Sequence, residues 1–132
     1  MKKFLFVLLF IPLDCFSQNE MKPNHKLENN SEVTNSSTIE LVEKKFFKNL
    51  ITENIQIIDV RTPKEYEEGH IINAVNINYK ASDFIQEISD LDKKKPYLIY
   101  CKSGNRSEKA TKIMDSLGFY KIYDLKGGFM NW

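Results

Sequence analysis

Residues Tyr97 to Ser107, Y-L-I-Y-C-K-S-G-N-R-S, constrain the fold of this chain more than any other stretch. The apolar run Tyr97-Leu98-Ile99-Tyr100, entered through Pro96, reads as a short buried strand. It stops at Cys101, and the polar loop Lys102-Ser103-Gly104-Asn105-Arg106 follows. Ser107 then opens a second pattern, Ala110, Ile113, Met114 and Leu117, spaced by three and four and ended by Gly118, which predicts an amphipathic helix. Strand, tight loop and helix start, in that order, belong to an open α/β sheet, whose ligands bind at the carboxyl ends of strands. The loop's successive N–H groups and the helix N-terminus favour negative charge at that place.

A thiol there is a thiolate more often than a free cysteine is, because positive potential stabilises the charged form. Lys102 and Arg106 add two full charges, so Cys101 is the candidate nucleophile at the mouth of an anion cradle. A lone cysteine is commonly just a small buried hydrophobe. The electropositive loop attached to this one is what favours chemistry.

Before the loop, Ser37-Thr38-Ile39-Glu40 has capping-box spacing, and Ile39, Val42, Phe46 and Leu50 form one helical stripe. Ile55 to Val60 reads as a strand. Thr62-Pro63-Lys64-Glu65 is a second capping box with Pro at the first helical position, and Gly69 ends that short helix. A strand is expected over Ile72–Ile77 and a helix over Ser82–Leu91 with Phe84, Ile85 and Ile88 inward. Lys93-Lys94-Lys95 is a solvated turn, and a last strand covers Ile122–Leu125. The alternation predicts an α/β fold, a small mainly parallel sheet flanked by helices on both faces.

C-K-S-G-N-R-S resembles the active-site loop of the rhodanese (sulfurtransferase) family. Ile57-Ile58-Asp59-Val60-Arg61 resembles its D-V-R strand end, and Glu65-Tyr66-Glu67-Glu68-Gly69-His70-Ile71 its E-x-x-x-G-H-I segment. Leu125-Lys126-Gly127-Gly128, with Trp132 four residues on, resembles its closing G-G-x-x-x-W. The resemblance spans about residues 38–132 and implies the same small α/β fold. It also implies sulfur transfer: thiosulfate or a persulfide gives its outer sulfur to Cys101, and a second nucleophile removes it. Lys102, Ser103, Gly104, Asn105, Arg106 and Ser107 would bind the anion, with Arg106 matching an oxyanion bidentately. Asp59 and Arg61 read as structural, an ion pair or hydrogen bonds that hold the cradle's surroundings, rather than as direct participants in the chemistry. His70 reads as a packed, hydrogen-bonded residue near the site. Phosphatases and arsenate reductases on this fold resemble C-x5-R, one residue longer than the C-x4-R of Cys101–Arg106, so sulfur is favoured over phosphate. A carrier that passes persulfide between proteins without turning over small molecules would share the same cradle. No cofactor is called for, and no His/Cys/Asp cluster has metal-ligand spacing.

Residues 1–17 read as a bacterial secretory signal: Met1-Lys2-Lys3, an apolar run Phe4–Ile11, then Cys15-Phe16-Ser17 before cleavage. Periplasmic location follows. Lipidation at Cys15 is the lesser alternative, because Asp14 stands where a small residue is wanted. After cleavage Cys101 is the sole cysteine, which no intramolecular disulfide can consume. Residues 18–36, with Met21, Leu27 and Val33 as the only large apolar side chains, form a linker in which His25 is solvated. The folded domain covers 37–132. A formal charge of +1 gives no reason to expect nucleic acid or an anionic membrane, and no stable membrane contact is expected unless Cys15 is lipidated. The expected partners are a small sulfur donor such as thiosulfate and a thiol or protein acceptor whose identity the sequence leaves open.

Overall fold

The structure, a computed structural model, describes residues 38–132. The leader, Cys15 and the linker lie outside the described residues. Five strands, β1 (Ile39–Val42), β2 (Gln56–Asp59), β3 (Val75–Asn76), β4 (Pro96–Tyr100) and β5 (Lys121–Leu125), form one sheet in the order β1-β5-β4-β2-β3. Every pairing is parallel. The helices are α1 (Lys44–Thr52), α2 (Pro63–Glu67), α3 (Phe84–Ser89) and α4 (Asn105–Ser116), and a 3-10 turn covers Phe129–Asn131.

The central strand β4 shows why both faces are covered. Tyr97 and Ile99 point into a core with Phe84, Ile88, Ala110 and Met114, contributed by α3 and α4. Leu98 and Tyr100 point the other way, among Phe47 and Leu50 of α1 and Ile71. A strand apolar on both sides must be covered on both sides, which parallel crossovers achieve. From β4 the chain crosses through α4 to β5, and from β2 through α2 to β3, on opposite sides of the β2–β4 pair. The carboxyl ends of β2 and β4 therefore flank a topological switch point, where an α/β sheet leaves a crevice.

Three local expectations are corrected. The helical stripe drawn through Ile39, Val42, Phe46 and Leu50 is a strand followed by a helix. Ile39–Val42 pairs with Ile122–Leu125 as the edge strand, and Phe47, not Phe46, is buried. The i, i+3 spacing of Ile39 and Val42 also fits a β-branched four-residue strand, so period alone could not choose. The strand expected over Ile72–Ile77 shrinks to Val75–Asn76, with Ile72 79% exposed. In α3 only Phe84 and Ile88 are buried, while Ile85 faces solvent. The Thr62 capping box is present as read, its side chain accepting from the Glu65 amide while the Glu65 carboxylate accepts from the Thr62 amide.

Candidate active site

Cys101 leaves the end of β4 on the α4 side of the sheet and is 1% exposed. The loop turns back over it through Gly104, whose φ of 105° lies in the left-handed region. A Cβ on Gly104 would meet nothing within 4 Å, so the glycine is needed there for its backbone angle alone. That angle aims the Gly104 N–H at the Cys101 sulfur, 3.1 Å away, and starts α4 at Asn105, two residues earlier than the apolar spacing implied. Burial pushes the thiol pKa up. The Ser107 hydroxyl, then the Ser107, Gly104 and Ser103 amides, push it down, and the balance lies below the ordinary cysteine value. The sequence reading named the loop N–H groups together with the charges of Lys102 and Arg106; the leading causes that lower the value are the hydroxyl and amides of Ser107, Gly104 and Ser103.

The underside of the loop rests on the C-terminal turn. The Phe129 N–H donates to the Cys101 carbonyl at 2.8 Å, and the Met130 N–H to the Lys102 carbonyl at 3.0 Å. Gly128 makes the approach possible. A Cβ there would stand 2.6 Å from the Cys101 oxygen and 2.6 Å from the Lys102 carbonyl carbon and oxygen.

Beside the loop, at the end of β2, Asp59 and Arg61 are 0% and 4% exposed and joined by charge-assisted bonds. The Arg61 Nε lies 3.0 Å from both carboxylate oxygens, and its Nη2 lies 2.7 Å from Oδ2 and 2.6 Å from the Gly69 carbonyl. The Tyr100 hydroxyl donates to Asp59 Oδ2 at 2.7 Å and accepts the Ile71 N–H at 3.0 Å. Burial leads in raising the Tyr100 pKa far above the usual phenol value, so it remains a donor. The guanidinium also lies over the Phe129 ring, 4.2 Å from its centroid. Phe129 in turn holds Cys101, so the ion pair braces the loop from below and does not touch the sulfur in any bond found here.

Arg106 is placed otherwise than expected. Its fork does not open toward an incoming oxyanion but closes on Glu65, Nη1 to Oε2 at 2.7 Å and Nη2 to Oε1 at 2.8 Å. The Glu65 carboxylate also accepts from the Thr62 N–H and hydroxyl, at 2.9 and 3.0 Å. Arg106 first, then Thr62, hold its pKa well below the carboxylate range against burial. Lys102, Ser103 and Asn105 are exposed at the rim, and Ser107 is buried beneath it. Lys102 borders a depression of about 320 Å³ with Arg61, Glu65, Glu68, Phe129 and Met130. His70 is exposed, stacked on Tyr66 at 3.7 Å and bonded through Nδ1 to the Tyr66 carbonyl. It borders a different depression, with Ile72 and Trp132, to which no loop residue contributes. Among the described residues no group of three His, Cys, Asp or Glu side chains is arranged to hold a metal ion.

The family model of the rhodanese-like domain matches residues 43–132, more than half of the chain. This chain belongs to the rhodanese-like domain family. It is 42% identical over 77 residues to the uncharacterized protein YqhL of Bacillus subtilis (strain 168), covering 58% of this chain and 60% of that protein. To the thiosulfate sulfurtransferase GlpE of Pseudomonas syringae pv. syringae (strain B728a) it is 39% identical over 77 residues, 58% of this chain and 70% of that one. Among solved structures, a rhodanese-related protein from Thermoplasma volcanium superposes with a TM-score of 0.63 at 30% identity, covering 70% of this chain and 89% of that one. The rhodanese-like fold thus accounts for the sheet and the crevice.

Two residues around the rhodanese-like loop escaped the sequence reading. Glu65 counted only as half of a capping box, although its place four residues before Gly69 was noted. Asp124 sits on β5, 3% exposed, inside a run read simply as a strand. A charged residue amid Ile122, Tyr123 and Leu125 was the available signal.

Proposed function

We propose that this rhodanese-like domain is a sulfurtransferase that carries sulfane sulfur on Cys101. The carrying observation is a buried sulfur that accepts an amide N–H at 3.1 Å inside a ring of only six residues, Cys101 to Arg106. The thiolate attacks the outer sulfur of thiosulfate. A new S–S bond forms to Cys101, the old one breaks, and its electron pair leaves with sulfite. The amides of Ser103, Gly104 and Ser107 stabilise the sulfur anion before attack and the persulfide after it. An acceptor nucleophile then takes the outer sulfur and returns the Cys101 thiolate. A phosphatase reading is weaker, since the ring is short and the Arg106 fork is occupied by Glu65 rather than open to a tetrahedral anion.

Thiosulfate as donor rests on the similarity to the thiosulfate sulfurtransferase GlpE of Pseudomonas syringae and on the anion-favouring loop. Export rests on the Met1–Ser17 pattern, and N-terminal sequencing of protein from the periplasm, beginning at Gln18, tests it. The chemistry is tested by intact mass before and after thiosulfate. A gain of one sulfur atom, lost again as thiocyanate on adding cyanide, is expected; an unchanged mass overturns the reading. A carrier differs only in the second half: it would gain the same sulfur but show no steady turnover with small-molecule acceptors.

A further inference from the structure

Besides the depression at Lys102, the loop borders a larger cavity, of about 630 Å³, between α4 and the edge strand β1. Gly104 and Asn105 belong to its wall, and so does Asp124 of β5. Successive residues of a strand face opposite sides. Asp124 therefore shares with Ile122 the side that α4 covers. It is 3% exposed, and its Oδ1 has no hydrogen-bond partner.

Nothing in its surroundings supplies the missing partner. The other charges at the cavity are matched already, Glu108 with Lys112 at 2.8 Å and Lys126 with Glu43 at 2.6 Å. From β1 the cavity meets Ile39 and Leu41, and across the sheet Asp124 stands in register with Ile99 of β4. The hydroxyls buried on α4 are spent on backbone: Thr111 donates to the Glu108 carbonyl at 2.8 Å, and Ser107 to the Gly104 carbonyl at 3.2 Å. A carboxylate oxygen shut away from water and donors is costly. Placed in the wall of a cavity, it is also a mark of what the cavity holds.

We infer that this cavity is a binding site for a small organic cation, a primary ammonium on a short apolar chain, with Asp124 as its counter-ion. The volume lies within the range of small-molecule sites, about 300–1,000 Å³. An ammonium brings three donors and the opposite charge to a carboxylate that has neither. The chain would lie along Ile39 and Leu41, the latter 62% exposed in the empty cavity. An anion would be repelled by Asp124, and a neutral ligand would leave its charge unmatched. Burial, with Glu108 adding and Ser107 opposing, raises the Asp124 pKa to about 6. The carboxylate is therefore ionised at neutral pH, and an alkylammonium stays protonated far above it. Binding should be complete above that value and be lost as pH falls through it, the bound cation itself pulling the Asp124 midpoint down.

The inference does not depend on sulfur transfer, so it is tested on the full chain with butylammonium chloride and no sulfur donor. The readout is the NMR shift of the Gly104, Asn105 and Asp124 amides. Saturable shifts are expected at neutral pH, with an affinity about tenfold or more above that of butan-1-ol, which has the chain without the charge. Asp124→Asn should abolish the advantage of the ammonium over the alcohol. Glu108→Gln should change the affinity by no more than about twofold, since that charge is solvated and paired. Absence of saturation, equal affinity for ammonium and alcohol, or undiminished butylammonium binding by Asp124→Asn each overturns the proposal. So does a loss in Glu108→Gln as large as in Asp124→Asn, which would place the cation on the exposed rim. Should Asp124→Asn fail to fold, the pH dependence of the wild type decides. Affinity should fall about tenfold between about pH 7.5 and about pH 5, because one unit below its midpoint only about one-tenth of a carboxylate is ionised. Glu108, whose pKa is lowered by Lys112, stays ionised over that range. A flat profile overturns the proposal.

Discussion

Arg106 grips Glu65 with both arms of its guanidinium, at 2.7 and 2.8 Å, across 41 residues of sequence. The pair ties the first turn of α4 to the first turn of α2, and so fixes the loop between them to the end of β2. Both side chains are partly shielded, 17% and 26% exposed, and Glu65 accepts two further bonds from Thr62. Bidentate, charge-assisted and partly desolvated, such a pair contributes more than a solvated surface bridge.

The acid stability of the protein should follow from it. The folded-state pKa of Glu65 is depressed, chiefly by Arg106. Its contribution is therefore complete above the unfolded glutamate value of about 4.3 and is lost as pH falls through the folded value. Glu65→Gln should lower the urea stability at pH 7 by about 2 kcal/mol. The gap to wild type should stay constant down to about pH 5 and narrow below pH 4. A gap independent of pH would mean the carboxylate charge is not what binds Arg106.

Arg106→Lys keeps the charge and loses the fork. A lysine can reach one oxygen of Glu65 but cannot hold both, so the loop should loosen. Stability and kcat/KM for thiosulfate should fall together, the latter by about tenfold or more. A drop in kcat/KM with unchanged urea unfolding would place Arg106 on the substrate instead, and unchanged kcat/KM would exclude both roles.

Cys101→Ser should abolish sulfur transfer and leave unfolding within about 1 kcal/mol of wild type, since the two side chains are nearly isosteric. In the wild type the midpoint of iodoacetamide alkylation across pH should lie below the free-cysteine value of about 8.5, because the Ser107 hydroxyl and three amides outweigh burial. A midpoint at or above that value would mean the amides are not organised around the sulfur in the resting protein.

How much of this could be read from the chain depended on distance along it. The strand-loop-helix at Cys101 and the Thr62 capping box are local, so residue order and spacing were sufficient. Ile39–Val42 became a strand because β5 offers it an edge, which a helical spacing shared with a four-residue strand cannot reveal. Phe46 and Ile85 were assigned inward from periodicity, yet on helices of nine and six residues a shift of one position changes which side chain meets the sheet. The Asp59–Arg61 pair was expected from two residues of separation, whereas its third member, Tyr100, comes from 41 residues away through the β2–β4 register. Glu65 gained its meaning only from a partner on another element, Arg106 of α4.

Gly128→Ala should be severe. The added methyl would stand 2.6 Å from backbone atoms of Cys101 and Lys102, and backbone cannot swing aside as a side-chain tip can. Its φ of 62° adds strain for any other residue. The turn must withdraw, breaking the Phe129 and Met130 bonds to the loop carbonyls. A loss of about 2–4 kcal/mol is expected, with sulfur loading reduced even at temperatures where the variant is folded. Gly127→Ala should be milder, since its Cβ would meet the Asn131 side chain, at 3.1 Å. Equal effects at the two positions, measured by urea unfolding and mass gain with thiosulfate, would refute the close-approach explanation.

Asp59→Asn tests the brace beneath the loop. The substitution preserves shape but removes the charge that satisfies a guanidinium only 4% exposed. Arg61 would keep its bond to the Gly69 carbonyl and its place over Phe129, yet three of its contacts run to the Asp59 carboxylate. An amide offers one acceptor oxygen where the carboxylate offers two, and its NH2 would face the Arg61 donors or the Tyr100 hydroxyl. Breaking a buried pair by neutralising one partner costs about 3–5 kcal/mol, because the other charge stays buried. Tyr100→Phe removes only the hydroxyl, leaving the Ile71 N–H without its acceptor, and should cost about 1–3 kcal/mol. If the two residues act in one network, the double variant should lose less than the sum of the singles by more than about 0.5 kcal/mol. Strict additivity in urea unfolding would mean that Tyr100 and Asp59 brace the loop separately.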